Sequence, residues 1–176
     1  LKENVAETIQ LLNGQGLNTI LLSGDRKEKC EELAQKIGIK TVYSEQLPED
    51  KIRVITELEK SASTVMVGDG INDAPALVKA SVGISLSKAT QIAVQSAQIV
   101  LLNDKDLGQV YEAYFISKHT LKTIKQNLFW AFFYNVVAIP IAALGFLNPM
   151  VAALTMAFSD VIVIGNSIRL KSKKLI

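Results

Sequence analysis

Apolar positions in the first hundred residues fall into short runs of two alternating kinds. Val5, Ile9, Leu11 and Leu12 share one helical face, which stops at the breakers Gly14 and Gly16. Residues 17–22 read as a strand ended by Ser23-Gly24-Asp25. Over 26–37, Cys30, Leu33, Ala34 and Ile37 have amphipathic-helix spacing, with Gly38 placed as a C-terminal cap. Residues 39–43 predict the next strand, 48–58 the next helix and 64–67 a third strand; a helix then opens at Asn72 or Asp73. Two more short strands, 82–86 and 98–102, flank a helix over 88–94. Alternation of this kind predicts an α/β unit, a mostly parallel sheet covered by helices.

Beyond residue 105 the pattern changes. Residues 106–126 predict one long helix with Lys118, Lys122 and Lys125 near its end. Residues 128–147 are 20 residues without a charge, about 30 Å as a helix and enough to cross a bilayer. Asn148-Pro149 makes a turn, and the mostly apolar run 150–168 leads into Arg169, Lys171, Lys173 and Lys174. Asp160 is the only formally charged side chain between 128 and 168. Basic clusters at both outer ends, with none at the turn, put both chain ends on the cytoplasmic side of a membrane hairpin. A buried pair of soluble helices would fit the length and the charge asymmetry less well. The expected division is therefore 1–104 as an α/β domain, 105–127 as a connecting helix, 128–147 and 149–168 as membrane helices and 169–176 as a basic tail.

Composition narrows the function classes. A net charge of +2 over 176 residues, without a basic face carrying interleaved aromatics, gives no reason to expect nucleic-acid binding. The single cysteine, Cys30, excludes an internal disulfide and a Cys-x-x-Cys clip and is expected to pack on its helix. His119 has no second histidine to join it and is not read as a metal ligand. The chain opens at Leu1 without an initiator Met or signal peptide, as if in mid-helix, and is expected to be a fragment of a longer polypeptide.

The candidate chemistry centres on residues 65–75, Val-Met-Val-Gly-Asp-Gly-Ile-Asn-Asp-Ala-Pro. A strand, a tight turn and a helix set Asp69 at the carboxyl end of a strand, where open α/β sheets bind ligands, and Asp73 one turn further on. Two carboxylates and an amide at one mouth suit Mg²⁺, although Gly-Asp-Gly alone is an ordinary turn signal. Ser23-Gly24-Asp25 ends its own strand and opens onto the same edge; locally it reads as a turn with Asp25 as a helix cap. Lys51 lies in the first turn of a helix, against the positive end of the macrodipole, at a local cost of some tenths of a kcal/mol. In the apolar half, an ionisable Asp160 costs at least ~2.5–3.5 kcal/mol on insertion scales and must face a cavity or a partner. Asn135 and Asp160 both lie ~10–12 Å from the outer ends of their spans, so they can face each other, and a bond from Asp160 to Asn135 or Ser159 is the structural alternative. Met156 shares a helix face with Asp160 at i, i+4.

The string from Gly68 to Pro75 resembles the Gly-Asp-Gly-x-Asn-Asp-x-Pro signature of the P-type ATPases, within the haloacid-dehalogenase superfamily. Ser23-Gly24-Asp25 is similar to that family's Thr-Gly-Asp, with the hydroxyl kept, and Leu47-Pro48-Glu49-Asp50-Lys51 is similar to its Leu-Pro-x-x-Lys. The resemblance implies a haloacid-dehalogenase-like (Rossmann-like) parallel sheet followed by a long helix and a transmembrane hairpin. It implies Ser23 and Lys51 around a phosphoryl group, Asn72 helping to order it, and Mg²⁺ at Asp69 and Asp73 between Gly68 and Gly70. Tyr134-Asn135 and Met156 resemble the metal path of copper pumps, whereas Asp160 stands where those carry Ser and where zinc pumps carry a carboxylate. The implied protein is an integral membrane pump, in a bacterial inner membrane, that couples ATP hydrolysis to heavy-metal export, Cu⁺ foremost and Zn²⁺ or Cd²⁺ as the alternative. Its implied partners are the nucleotide-binding and actuator domains, the remaining membrane helices and the lipid bilayer. No Asp-Lys-Thr-Gly-Thr string, the family's phosphate acceptor, occurs here, so the chain alone is expected not to hydrolyse ATP. A non-catalytic, membrane-anchored protein that binds a partner is the rival of another class.

Overall fold

A computed structural model describes residues 3–68, 71–86, 91–103, 106–146 and 148–171. It divides into two compact units, Leu1–Tyr111 and Glu112–Ile176.

In the first unit strands and helices alternate: α1 (Val5–Gly14), β1 (Ile20–Leu22), α2 (Lys27–Ile37), β2 (Thr41–Tyr43), α3 (Pro48–Glu59), β3 (Val65–Gly68), α4 (Ala74–Lys79), β4 (Val82–Leu86), α5 (Gln91–Ser96) and β5 (Ile99–Leu101). A 3₁₀ turn, Ile71–Asp73, precedes α4. The alternation predicted from periodicity is the one observed, with strands shorter at their starts because Leu17 and Ile39 are spent on helix-ending turns. Gly38, at φ 79°, ends α2 while the Ile39 N–H bonds back to the Ala34 carbonyl. Helix α1 starts at Val5; Asn4, at φ 58°, and Glu3, bridged in parallel to Asp106, precede it, so the chain does not enter mid-helix there. The expected helix over 88–94 is described only as α5, because 87–90 lie outside the described residues.

All strand pairing is parallel, but in two sheets, β1-β2 and β3-β4-β5, where one was expected. β1 and β3 each keep one edge without a strand partner among the described residues. Apolar side chains fill both faces of the larger sheet. Met66 joins Ile55, Ala76, Leu77 and Ala80 on one side, where Leu22 of β1 also packs. Ile84, Leu86, Leu101 and Val110 form a second cluster with Val67 at its margin. Central β4 is buried almost throughout, as expected of a parallel strand covered on both faces. Cys30 is buried on α2.

At the amino ends of β3 and β4, one carboxylate serves as a clasp. Glu59 Oε1 accepts bonds from the Thr64 N–H (3.0 Å) and hydroxyl (2.5 Å) and from the Ser81 N–H (2.9 Å) and hydroxyl (2.8 Å). These bonds, the Thr64 and Ser81 hydroxyls foremost, hold its pKa down from 4.5 to about 2.

The second unit continues from α6 (Gly108–Ala143), whose first residues belong to the first unit, to α7 (Pro149–Lys171). The helix expected over 106–126 and the apolar span expected from 128 are one helix, since no breaker lies between them. It ends at Ala143 rather than 147: Gly145 adopts φ 78° and the N–H groups of Gly145 and Phe146 bond back to the Ala142 and Ile141 carbonyls. Both helices are long and apolar enough to cross a membrane. Residues 172–176, including Lys173 and Lys174, lie outside the described residues.

Because the clasp favours ionised Glu59, the folded state binds fewer protons than the unfolded chain between pH 4.5 and about 2. Its stabilisation is complete above that window and disappears as pH falls through it. Thermal unfolding of wild type and Glu59→Gln in detergent should therefore differ at neutral pH and converge at the acid end of the window; a pH-independent difference would contradict the assignment.

Candidate functional site

The carboxyl ends of β1 and β3 carry the residues singled out from the motifs. Lys51, in the first turn of α3, is 8% exposed, and its Nζ donates to Asp73 Oδ1 at 2.6 Å, joining groups 22 residues apart. The two side chains are 10% and 15% exposed, so the pair lies in a medium where Coulomb attraction is much stronger than in water. Asp73 stands at the N-terminal cap position of α4 but makes no side-chain cap bond, because its carboxylate turns to Lys51 instead. This turn requires Gly68: a Cβ there would lie 2.8 Å from the Asp73 Cβ and 3.2 Å from its Cγ.

The loop after β1 is braced against the loop after β2. Gln46 and Glu45 donate their N–H groups to the Ser23 and Asp25 carbonyls at 3.0 and 2.9 Å. Ser23 Oγ accepts the Asp25 N–H at 3.1 Å, which leaves its own proton available to a further acceptor. Asp25 does not cap α2; Arg26 holds the cap position without a side-chain bond, and the Asp25 carboxylate pairs with Lys29 at 3.0 Å on the surface. Gly24 is exposed between them. Asn72 is exposed on the 3₁₀ turn, and Asp69 and Gly70 lie outside the described residues.

The donor chemistry here suits Mg²⁺ in a particular way. Among the described residues no three His, Cys, Asp or Glu side chains form a group able to hold a metal. Asp73 shares Oδ1 with an ammonium, leaving Oδ2 as its acceptor. A site assembled from one or two carboxylates plus water and substrate oxygens is what Mg²⁺ accepts, and a closed protein cage is not needed.

In the second unit, Tyr134 Oη is 3.3 Å from Thr155 Oγ1, Asn127 donates to Ser167 at 3.0 Å, and Asn166 donates to Asn127 at 2.8 Å. These bonds set the antiparallel register. Counted from the Asn127–Ser167 and Asn166–Asn127 bonds, Asn135 and Asp160 fall within about one or two residues of the same level. The Asn135 amide instead donates to the Ala131 carbonyl of its own helix at 2.9 Å, and among the described residues nothing bonds it to Asp160. Met156 (61% exposed) and Asp160 lie on the outside of α7. His119 packs against Phe115 with the rings tilted at 59° and their centroids 4.2 Å apart. Sequence reasoning missed Thr155, Asn127 and Asn166, whose partners lie 21 to 40 residues away.

The parallel sheets and strand–helix alternation make the first unit a haloacid-dehalogenase-like fold, and the family model for haloacid dehalogenase-like hydrolases matches residues 1–81. Over nearly its whole length the chain also matches longer proteins. It is 45% identical over 176 residues, 99% of the chain and 22% of the relative, to a copper-exporting P-type ATPase of Staphylococcus aureus (strain MRSA252). It is 45% identical over 173 residues, 98% of the chain and 23% of the relative, to cation-transporting P-type ATPase B of Mycobacterium bovis. The crystal structure of a zinc-transporting PIB-type ATPase in the E2.Pi state superposes with a TM-score of 0.90 at 30% identity, covering 97% of this chain and 28% of that one. The chain belongs to the P-type ATPase family, and it spans less than a quarter of the length of the curated relatives named above.

Removing one member of the Lys51–Asp73 pair strands a buried charge, so Asp73→Leu should cost about 3–5 kcal/mol, and the double change Lys51→Met/Asp73→Leu distinctly less. Gly68→Ala should cost about 1–3 kcal/mol by pushing Asp73 aside. Denaturant unfolding followed by circular dichroism measures all three; a double variant weaker than Asp73→Leu alone would contradict the buried-pair account.

Proposed function

We propose that this chain is the part of a heavy-metal P-type ATPase that stabilises the phosphoryl group and closes the membrane path with its last two helices. The Lys51–Asp73 pair carries the reading: a cation held in a dry strand mouth is a preorganised charge for phosphoryl transfer. The edges of β1 and β3 that have no strand partner among the described residues support it further, since Leu22 and Met66 pack in one cluster and both strands end in motif residues. A strand from elsewhere in the intact pump, ending in the phosphorylated Asp, fits between them.

In that pump Ser23 donates its hydroxyl proton to a phosphoryl oxygen, and Asn72 helps order the group. Lys51, oriented by Asp73, faces the negative charge that develops during transfer from ATP and during hydrolysis. Asp69 and Asp73, with Gly68 and Gly70 in the same motif, would hold Mg²⁺, which would supply positive charge against the phosphoryl oxygens. The chain ends and the first unit lie on the cytoplasmic side, where ATP is, in the inner membrane of a bacterium. Tyr134, Asn135, Met156 and Asp160 contribute to the path of the transported ion together with helices supplied by the rest of the pump.

Cu⁺ is the proposed cargo, supported by the Met156 thioether, the Tyr134-Asn135 pair and the copper-exporting relative. Asp160 favours a second reading, a divalent ion such as Zn²⁺ or Cd²⁺, because a carboxylate is a hard donor.

Two measurements on the intact pump test these statements. Lys51→Ala should lower phosphoenzyme turnover by about 10²–10³-fold, the cost of one preorganised charge donor. A wild-type rate would sink the role. In a titration of ATP hydrolysis with Cu⁺, Ag⁺, Zn²⁺ and Cd²⁺, stimulation by Cu⁺ or Ag⁺ that survives Asp160→Ser is expected. Stimulation only by a divalent ion, lost in Asp160→Ser, would overturn the copper assignment.

A further inference from the structure

Neither phosphoryl chemistry nor the metal path uses the lysines of α6. Lys118, Lys122 and Lys125 are exposed and, with Phe129 and Trp130 among the other lining residues, border a concavity of about 460 Å³. Their spacing puts them on one face of the helix, cations first and aromatic rings after. Trp130 packs edge-on against Phe129 and Phe133, with centroids 5.6 and 6.1 Å away, where the uncharged run begins. No Asp or Glu occurs in the sequence between Glu112 and Asp160. The bonds from Asn166 to Asn127 and from Asn127 to Ser167 bring the end of α7 level with this segment, and the exposed Arg169 adds a further cation at about the height of Lys125.

Depth decides what such a face fits. Along the axis Lys125 and Lys122 lie ~8 and ~12 Å from Trp130, and a lysine side chain reaches several ångströms along its helix. Tryptophan anchors at the edge of the hydrocarbon, and the headgroup layer adds roughly 5–7 Å on each side. On these lengths Lys125 stands just outside the headgroup layer and Lys122 about one turn further out, so each ammonium meets a lipid phosphate by extending back along the helix. Lys118, whose Nζ lies 5.6 Å from the Tyr114 ring centroid, stands beyond them in the field of the surface.

We propose that this face of α6 binds the headgroup of an anionic phospholipid, its phosphate between Lys122, Lys125 and Arg169 and its chain against Phe129 and Trp130. The aromatic floor beneath the cations matches an amphipathic ligand; a free phosphate would use the cations alone. The inference rests on the reading of α6 as membrane-spanning.

Trp130 is the only tryptophan of the chain and lies in the proposed site, so its fluorescence is the readout. The full chain is placed in nanodiscs of phosphatidylcholine containing, as a minority lipid, either brominated phosphatidylglycerol or brominated phosphatidylcholine. The anionic lipid should occupy the site about fivefold more strongly than the zwitterionic one, the effect of one net cation at an anionic surface. Lys122→Gln/Lys125→Gln should abolish that preference and Lys122→Arg/Lys125→Arg should keep it. Equal quenching by the two lipids, or a preference that survives in the glutamine variant, would overturn the headgroup site while leaving the membrane placement intact. Quenching by neither lipid would overturn the membrane placement and the site with it. Millimolar inorganic phosphate should leave the preference unchanged; reversal by it would make the site one for free phosphate.

Discussion

An ammonium and a carboxylate 2.6 Å apart in a largely dry strand mouth constrain everything around them. Neither charge is affordable there alone, because burying an unpaired ion costs several kcal/mol. Lys51 comes from the start of α3 and Asp73 from the turn before α4, so the pair ties two helices to one end of β3. Gly68 is bound into the same constraint, since only a residue without a Cβ lets the Asp73 carboxylate fold back over the strand. The local cost of a lysine at a helix start is offset by this single partner.

The Glu59 clasp and the Lys51–Asp73 pair lie at opposite ends of β3. At the amino ends, four donors converge on Glu59 and lock β3 to β4 through ordinary hydrogen bonds. At the carboxyl ends of β1 and β3, groups are held but not saturated: the Ser23 hydroxyl keeps a proton to give and Asp73 keeps an oxygen. Parallel strands make this division natural, because every loop leaving a carboxyl end opens on the same side.

In the second unit, polar side chains set the register of two helices whose remaining surfaces are almost uniformly apolar. Apolar packing between such helices discriminates weakly among rotations and shifts, whereas Asn127, Asn166 and Ser167 at one level and Tyr134 and Thr155 at another accept only one alignment.

Local periodicity and turn chemistry were sufficient for much of this protein. The strand–helix alternation, the cap at Gly38, the two apolar spans and the motif positions of Ser23, Lys51, Gly68 and Asp73 all follow from neighbours a few residues apart. Contacts between distant residues decided the rest. The capacity of Asp73 to cap α4 is a local property, but its use as the counter-ion of Lys51 depends on a residue 22 positions away. The split into two sheets, the clasp at Glu59 and the bonds that join Asn127 to Asn166 and Ser167 have the same origin. Sequence patterns record the preferences of each residue for its own segment; which preference is realised is set by the partners that tertiary folding delivers.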